Sequence, residues 1–253
     1  MKVRFLFVFL ALVSICHAQE TELPEYVTAR PGYTWGAEVL EHHKLAWENG
    51  FLFEASDDGS KTLSLNSSIL RYGLFKNTEV YVGTGLQMTN DGQGWNFNEM
   101  GFSPMLFGTK IKCFDGGGGL IPSVGVLAEF SSSHIGTKDL LPSHLAPRLY
   151  LLLDQSPTEW LTLWYNAGLE WDGESATPTT FLALGAWFSL TDRLDAFLES
   201  NNYFHPEGNQ YLTSFGFTWL ASRRVQLDIE GDLDLMSHGK CYSIGCGIAW
   251  MIN

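Results

Sequence analysis

The stretch RRVQLDIEGDLDLM, residues 223–236, places acids at every second position, Asp228, Glu230, Asp232 and Asp234. Between and beside them stand Val225, Leu227, Ile229, Leu233 and Leu235. A helical repeat of 3.6 residues would scatter these acids around a cylinder, whereas a strand sends them all to one side and the apolar residues to the other. A ribbon so sharply two-faced needs water on one side and hydrocarbon on the other, with no unpaired edge. A sheet rolled shut within a bilayer meets that demand.

The same alternation recurs along the chain. In KLAWENGFLFEA (44–55), Leu45, Trp47, Phe51 and Phe53 oppose Lys44, Glu48 and Glu54. In MLFGTKIKC (105–113), Met105, Phe107, Thr109 and Ile111 oppose Gly108, Lys110 and Lys112. Segments 79–88, 120–131, 147–154, 159–171, 180–190, 194–201, 210–220, 224–235 and 241–252 follow suit. Segment 62–73 is weaker: Leu63, Leu65 and Ile69 facing out would send Arg71 outward as well, where it either snorkels to the membrane interface or is turned inward by a bulge near Ile69–Leu70, the reading favoured. Each segment is near the length that crosses a bilayer when tilted, and the total is about twelve strands.

The connections agree. Short links at 75–78, 115–118, 154–158, 191–193 and 221–223 alternate with generally longer ones at 90–102, 132–146, 172–178 and 202–209. The fold expected is therefore all-β, an up-and-down antiparallel transmembrane β-barrel. A soluble secreted β-protein is the competing reading, but it has no need of that alternation. Outward Trp47, Trp219 and Trp250 fall near the short-turn rim, and Trp171, Phe53, Phe130 and Tyr211 near the long-loop rim. That sorting suits the aromatic girdles of a membrane barrel.

The first residues, MKVRFLFVFLALVSICHAQE, join a basic start to an apolar run and a small residue, Ala18, as a secretory leader does. The domain plan is then a signal peptide at 1–18, an N-terminal segment at 19–43 and a barrel at 44–253. The middle segment has two readings, a periplasmic arm or a plug folded into the lumen. The formal net charge of −13 argues against a nucleic-acid partner. Removing Lys2 and Arg4 with the leader makes the chain more acidic still. No cofactor or metal is expected. Cys113, Cys241 and Cys246 lack metal-type spacing, and His42 and His43 would point apart on a strand.

The hairpin FSLTDRLDAFLE (188–199), its echo LRYGLFKNTEVYVG (70–83), FGTKIKCFD (107–115) and the early TARPGYTWG (28–36) resemble a family of Gram-negative outer-membrane barrels linked to a MetA pathway of phenol degradation and labelled transporters. The resemblance covers most of the chain after the leader and rests on turn and strand patterns. It implies outer-membrane location and movement of small compounds, aromatic ones among them. It supplies no catalytic residue.

Function is expected to lie in the lumen. Asp228, Glu230, Asp232, Asp234, Glu199, Glu129 and Glu170 form its acidic lining, and Lys110, Lys112, Arg148 and Arg224 its basic lining. Trp160, Trp164, Trp187, Phe181 and Phe197 have inward parity. Glu129 and Arg148 sit at the same end of neighbouring strands, so an ion pair is expected. Acids about 7 Å apart along one strand repel unless solvated or countered, so the ladder is a wetted wall or a cation-selective constriction. A calcium site would need oxygens from other strands. The indoles either fill a small barrel or offer faces on which an aromatic or amphipathic solute stacks.

These features suggest a monomeric channel for passive passage of small solutes, with outer-membrane lipid around it. A structural or surface-binding barrel is the alternative. A lipid hydrolase fits less well: there is no GxSxG, no strand pairs an outward Ser with an outward His, and His134, His144, His205 and His238 fall in loops. The chain is accordingly read as no enzyme.

Overall fold

A computed structural model describes residues 28–90, 97, 99–236 and 241–253. The leader at 1–18 with its cleavage after Ala18, residues 19–27 and His238 lie outside the described residues.

Fourteen strand segments make one antiparallel sheet. They are β1 (Leu45–Ala55), β2 (Lys61–Phe75), β3 (Thr78–Thr84), β4 (Leu86–Asn90), β5 (Glu99–Phe102), β6 (Leu106–Phe114), β7 (Gly119–Ser131), β8 (Ala146–Thr158), β9 (Leu161–Glu170), β10 (Thr179–Thr191), β11 (Leu194–His205), β12 (Gly208–Ser222), β13 (Val225–Asp234) and β14 (Tyr242–Met251). Strands β3 and β4 are one stave interrupted at Gly85, since both pair with β2, and β5 and β6 are another, interrupted at 103–105. Twelve staves result. β1 pairs with both β14 and β2, which closes the barrel.

Burial is inverted relative to a water-soluble protein. Phe215, Phe217, Ile229 and Ile244 are exposed, while Glu48, Arg71, Glu79, Lys110 and Glu199 are buried. An apolar belt of this extent marks a hydrocarbon-facing surface. The alternation that defines the strands thus also sorts the solvents.

Two local departures from expectation have clear causes. The bulge in β2 lies earlier than expected: Gly50 pairs with Ser67 but Leu52 with Ser64, so the extra residue falls between Ser64 and Ser67. Ile69 therefore faces the lumen with Arg71, and it packs against the small core of Ala37, Tyr81, Leu127 and Leu152. The link expected at 202–209 is a turn of two residues, because β11 runs to His205 and β12 begins at Gly208. Asn201 and Asn202 put polar groups on both faces and hide the alternation. It resumes with inward Tyr203, which lies 4.9 Å from Phe181.

Candidate functional site

The barrel interior holds residues of its own chain. Arg30 Nη2 is 3.0 Å from Asp228 Oδ1 and 3.2 Å from Glu230 Oε1, both on β13. The Gly32 N–H donates to Glu230 at 2.8 Å, and the Tyr33 N–H to Glu199 on β11 at 2.8 Å. Trp35 exchanges two hydrogen bonds with Asn166 on β9, at 2.7 and 2.9 Å. The Ala37 N–H donates to Asp154 on β8, and the Leu40 N–H to Glu79 on β3. Partners on so many staves can be reached only from inside.

The path is a hairpin inserted from the short-turn rim. The Ala29 N–H meets Glu48, and Gln226 Nε2 donates to the Arg30 carbonyl; both partners lie near that rim. The chain rises to mid-barrel at Gly32–Thr34, crosses the bore, and descends past Asp154 and Glu79 to the start of β1. Gly32 sits at the crest with φ of +84°, where a Cβ would lie 2.6 Å from Glu199 Oε1. Only glycine accommodates both the left-handed backbone and that approach. Gly50 and Gly247, paired across β1 and β14, leave the space that the Arg30 guanidinium fills.

Beneath and beside the hairpin lies a buried charge cluster. Arg71 bridges Glu48 at 2.7 Å and Glu79 at 2.7 Å, and Lys110 Nζ is 3.8 Å from Glu79. Lys110 also donates to the Gly36 carbonyl at 3.2 Å and stands 5.4 Å from the Trp35 ring centre. Trp35 stacks on Tyr81, whose hydroxyl donates to Glu129 at 2.7 Å. Toward the long loops, Arg148 pairs with Glu129 at 3.0 Å and approaches Glu170 at 3.6 Å. The ion pair anticipated between Glu129 and Arg148 is present.

The other expected lining residues take the following places. Asp232 is buried and accepts from Ser243, while Asp234 accepts from the Met236 N–H at the upper end of β13. Lys112 bonds Glu38 of the hairpin at 2.7 Å and Asp115 at 2.9 Å. Trp164 and Trp187 face each other across β9 and β10 at 4.7 Å, and Trp187 stacks on Phe197 at 4.9 Å. Phe181 lies farther up, 5.4 Å from Tyr150. Trp47, Trp219 and Trp250 lie on the outward face near the short-turn rim; Trp47 and Trp250 are direct cross-strand partners. Trp171 directly follows β9 at the long-loop rim and donates to the Ala176 carbonyl.

Two expectations require correction. Trp160 is outside the lumen: Glu159 and Trp160 are the turn between β8 and β9, where alternation lapses, and the indole stacks on outward Phe188. Arg224 is exposed in the β12–β13 turn, one residue before the strand that would have aimed it inward. His42 and His43 also differ from expectation. They occupy a turn rather than a strand, His43 has φ of +67°, and their rings stack at 3.6 Å. Sequence parity could find Glu48 and Glu79. Nothing local marked Asn166 or Asp154 as partners of the N-terminal segment.

Between the hairpin and the short-turn rim is a cavity of about 480 Å³. Trp164, Trp187, Lys110, Lys112, Asp154 and Asp195 line it, together with Gly36 and Glu38 of the hairpin. Its size and mixed lining suit a small organic molecule.

A closed twelve-stave barrel, apolar outside and charged within, has the architecture of outer-membrane barrel proteins. The chain belongs to the family described as "Putative MetA-pathway of phenol degradation", whose model matches residues 28–250 and so includes the hairpin. Among solved structures it is similar to the COG4313 outer membrane channel from Pseudomonas putida F1, with a TM-score of 0.63 and 13% identity over 89% of this chain and 100% of that one. A KdgM porin in complex with disordered oligogalacturonate aligns with a TM-score of 0.57 and 8% identity, over 81% of this chain and 99% of that one. A NanC porin aligns with a TM-score of 0.51 and 13% identity, over 81% and 98%. These similarities are of fold. No curated protein matches the chain.

Proposed function

We propose that this protein is a channel of the Gram-negative outer membrane that passes small solutes passively, as a monomer. The observation that carries the reading is the lumen itself. Charged and polar side chains make up much of its lining, and a vestibule of molecular size opens at the short-turn end. The Trp164–Trp187–Phe197 stack favours aromatic or amphipathic solutes, because indole faces hold flat rings better than they hold water. The four acids on β13 outnumber the one Arg30 that pairs with two of them, and that net negative charge favours cations over anions.

Purified protein in planar bilayers should give small, cation-preferring conductance steps. In solute-loaded vesicles, Trp164→Ala with Trp187→Ala should slow aromatic solutes more than polar ones of equal size. Equal slowing of both would remove the stacking role.

A second reading has its own observation. The hairpin fills mid-barrel, as it would in a barrel that serves structure or surface binding and passes nothing. Electrically silent bilayers containing correctly folded protein would favour it. The lipid-hydrolase alternative gains no support: Ser133 Oγ and His134 Nδ1 are 2.8 Å apart, but they are chain neighbours in an exposed loop.

A further inference from the structure

Seven backbone N–H groups of the hairpin, from Ala29 to Leu40, donate to side-chain oxygens of the barrel wall, and one guanidinium sits between two carboxylates. This is recognition of an extended peptide backbone by side chains rather than by a sheet edge. Among the described residues, the basic partner of Asp228 and Glu230 is Arg30, which belongs to the hairpin. Glu199 has no basic partner there. It takes the Tyr33 and Thr34 N–H groups and the Thr34 hydroxyl. Without the hairpin, Asp228 and Glu230 would lose Arg30 and Glu199 would lose three donors while keeping the Asn201 amide, a costly state unless another donor-rich cation enters.

We infer that Asp228, Glu230, Glu199, Asn166 and Asp154 form a binding trough for extended, cationic, peptide-like solutes, and that residues 29–37 are an internal occupant which such a solute displaces. The cationic group takes the place of Arg30, and backbone amides take the places of Gly32 to Ala37. The seat for the guanidinium is the smooth floor of Gly50 and Gly247. A polyamine supplies charge and ammonium donors but no carbonyl for the Asn166 amide and no amides at peptide spacing, so it serves as the control for charge alone. The solute class rests on the channel reading, whereas displacement of the hairpin can be read without any current.

The test uses the full-length protein in vesicles with a single reporter thiol, Thr34→Cys, labelled by a water-soluble thiol reagent and read by mass spectrometry of the peptide that contains it. A tethered segment competes at an effective concentration on the order of millimolar, so the free peptide Ala-Arg-Pro-Gly-Tyr-Thr-Trp-Gly-Ala is supplied at about ten times that. The docked fraction should then fall about tenfold, and labelling at position 34 should rise to near the rate of the fully undocked segment, as occupancy passes to the free peptide. The same peptide with Glu in place of Arg, and spermidine, should leave labelling unchanged.

Tyr33→Cys provides a second reporter whose side chain is not needed for the Glu199 contacts. A lock supplies the converse. A Cβ built on Gly185 lies 3.5 Å from Thr34 Cβ, within disulfide range. Oxidised Thr34→Cys/Gly185→Cys protein should therefore keep the hairpin seated and abolish any current block by the cationic peptide, and reduction should restore it. Unchanged labelling of both reporters with the cationic peptide, or an equal rise with the anionic one or spermidine, overturns the inference. A silent bilayer accompanied by peptide-dependent labelling would sink the channel reading and leave the trough standing.

Discussion

Arg71 shows how one side chain can be both a hazard and a keystone. It is fully buried, yet Glu48 and Glu79 both reach it at 2.7 Å, so its charge is met inside the barrel. Removing one partner from such a cluster leaves uncompensated charge, a loss of about 3–5 kcal/mol. Arg71→Met should therefore lower the urea midpoint for unfolding in detergent, read as the shift from compact to extended migration on unheated gels. Adding Glu48→Gln and Glu79→Gln should recover part of the loss. A midpoint unchanged in the single variant would mean that water reaches these groups. The same scale explains Gly247. A Cβ there would stand 2.3 Å from Arg30 Nε, so even alanine presses on the guanidinium.

At the scale of elements, β13 and the hairpin carry separate expectations. The outward face of β13 meets hydrocarbon, and its middle falls at Ile229. Ile229→Arg should destabilise by about 2–4 kcal/mol, and Leu235→Arg near the rim by only about 0–1. Folding titrations of both variants would show that gradient, and equal losses would refute the depth assignment. The hairpin is held mainly through its backbone, so it is sensitive to geometry more than to side-chain identity. Gly32→Ala adds a Cβ against Glu199 at a left-handed position, an overpacking strain of about 1–3 kcal/mol. Chymotryptic cleavage after Tyr33 or Trp35 should accelerate at least about fivefold, in proportion to the undocked fraction. An unchanged rate would mean that the crest tolerates the methyl group.

At the scale of the whole molecule, the barrel wraps an acidic interior in an apolar exterior and seats a segment of itself within that interior. Asp228, Glu230, Asp232 and Asp234 all face inward from one stave, and the single Arg30 that pairs with the first two offsets only part of their charge, which leaves this wall net anionic. Replacing all four with asparagine or glutamine should reduce cation-over-anion preference about two- to tenfold, measured as a reversal potential in a salt gradient. If preference persists, the ladder is a hydrated wall and selectivity lies elsewhere.

The sequence by itself determined the strands, their facing and the barrel. Alternation at a period of two is a local property, written in each segment such as 225–235 and in the turn residues between them. It also placed Glu199, Trp164 and Trp187 inside, because parity is inherited along a strand. It failed where local pattern lapses: at the Glu159–Trp160 turn, at the bulge in β2 and at Asn201–Asn202. The tertiary structure alone decided where residues 28–43 go. TARPGYTWG is polar and unpatterned, and its partners Asn166, Glu199 and Asp228 lie more than a hundred residues away. Whether it floats or docks depends on the spacing of acceptors across closed staves, which no local stretch of chain contains.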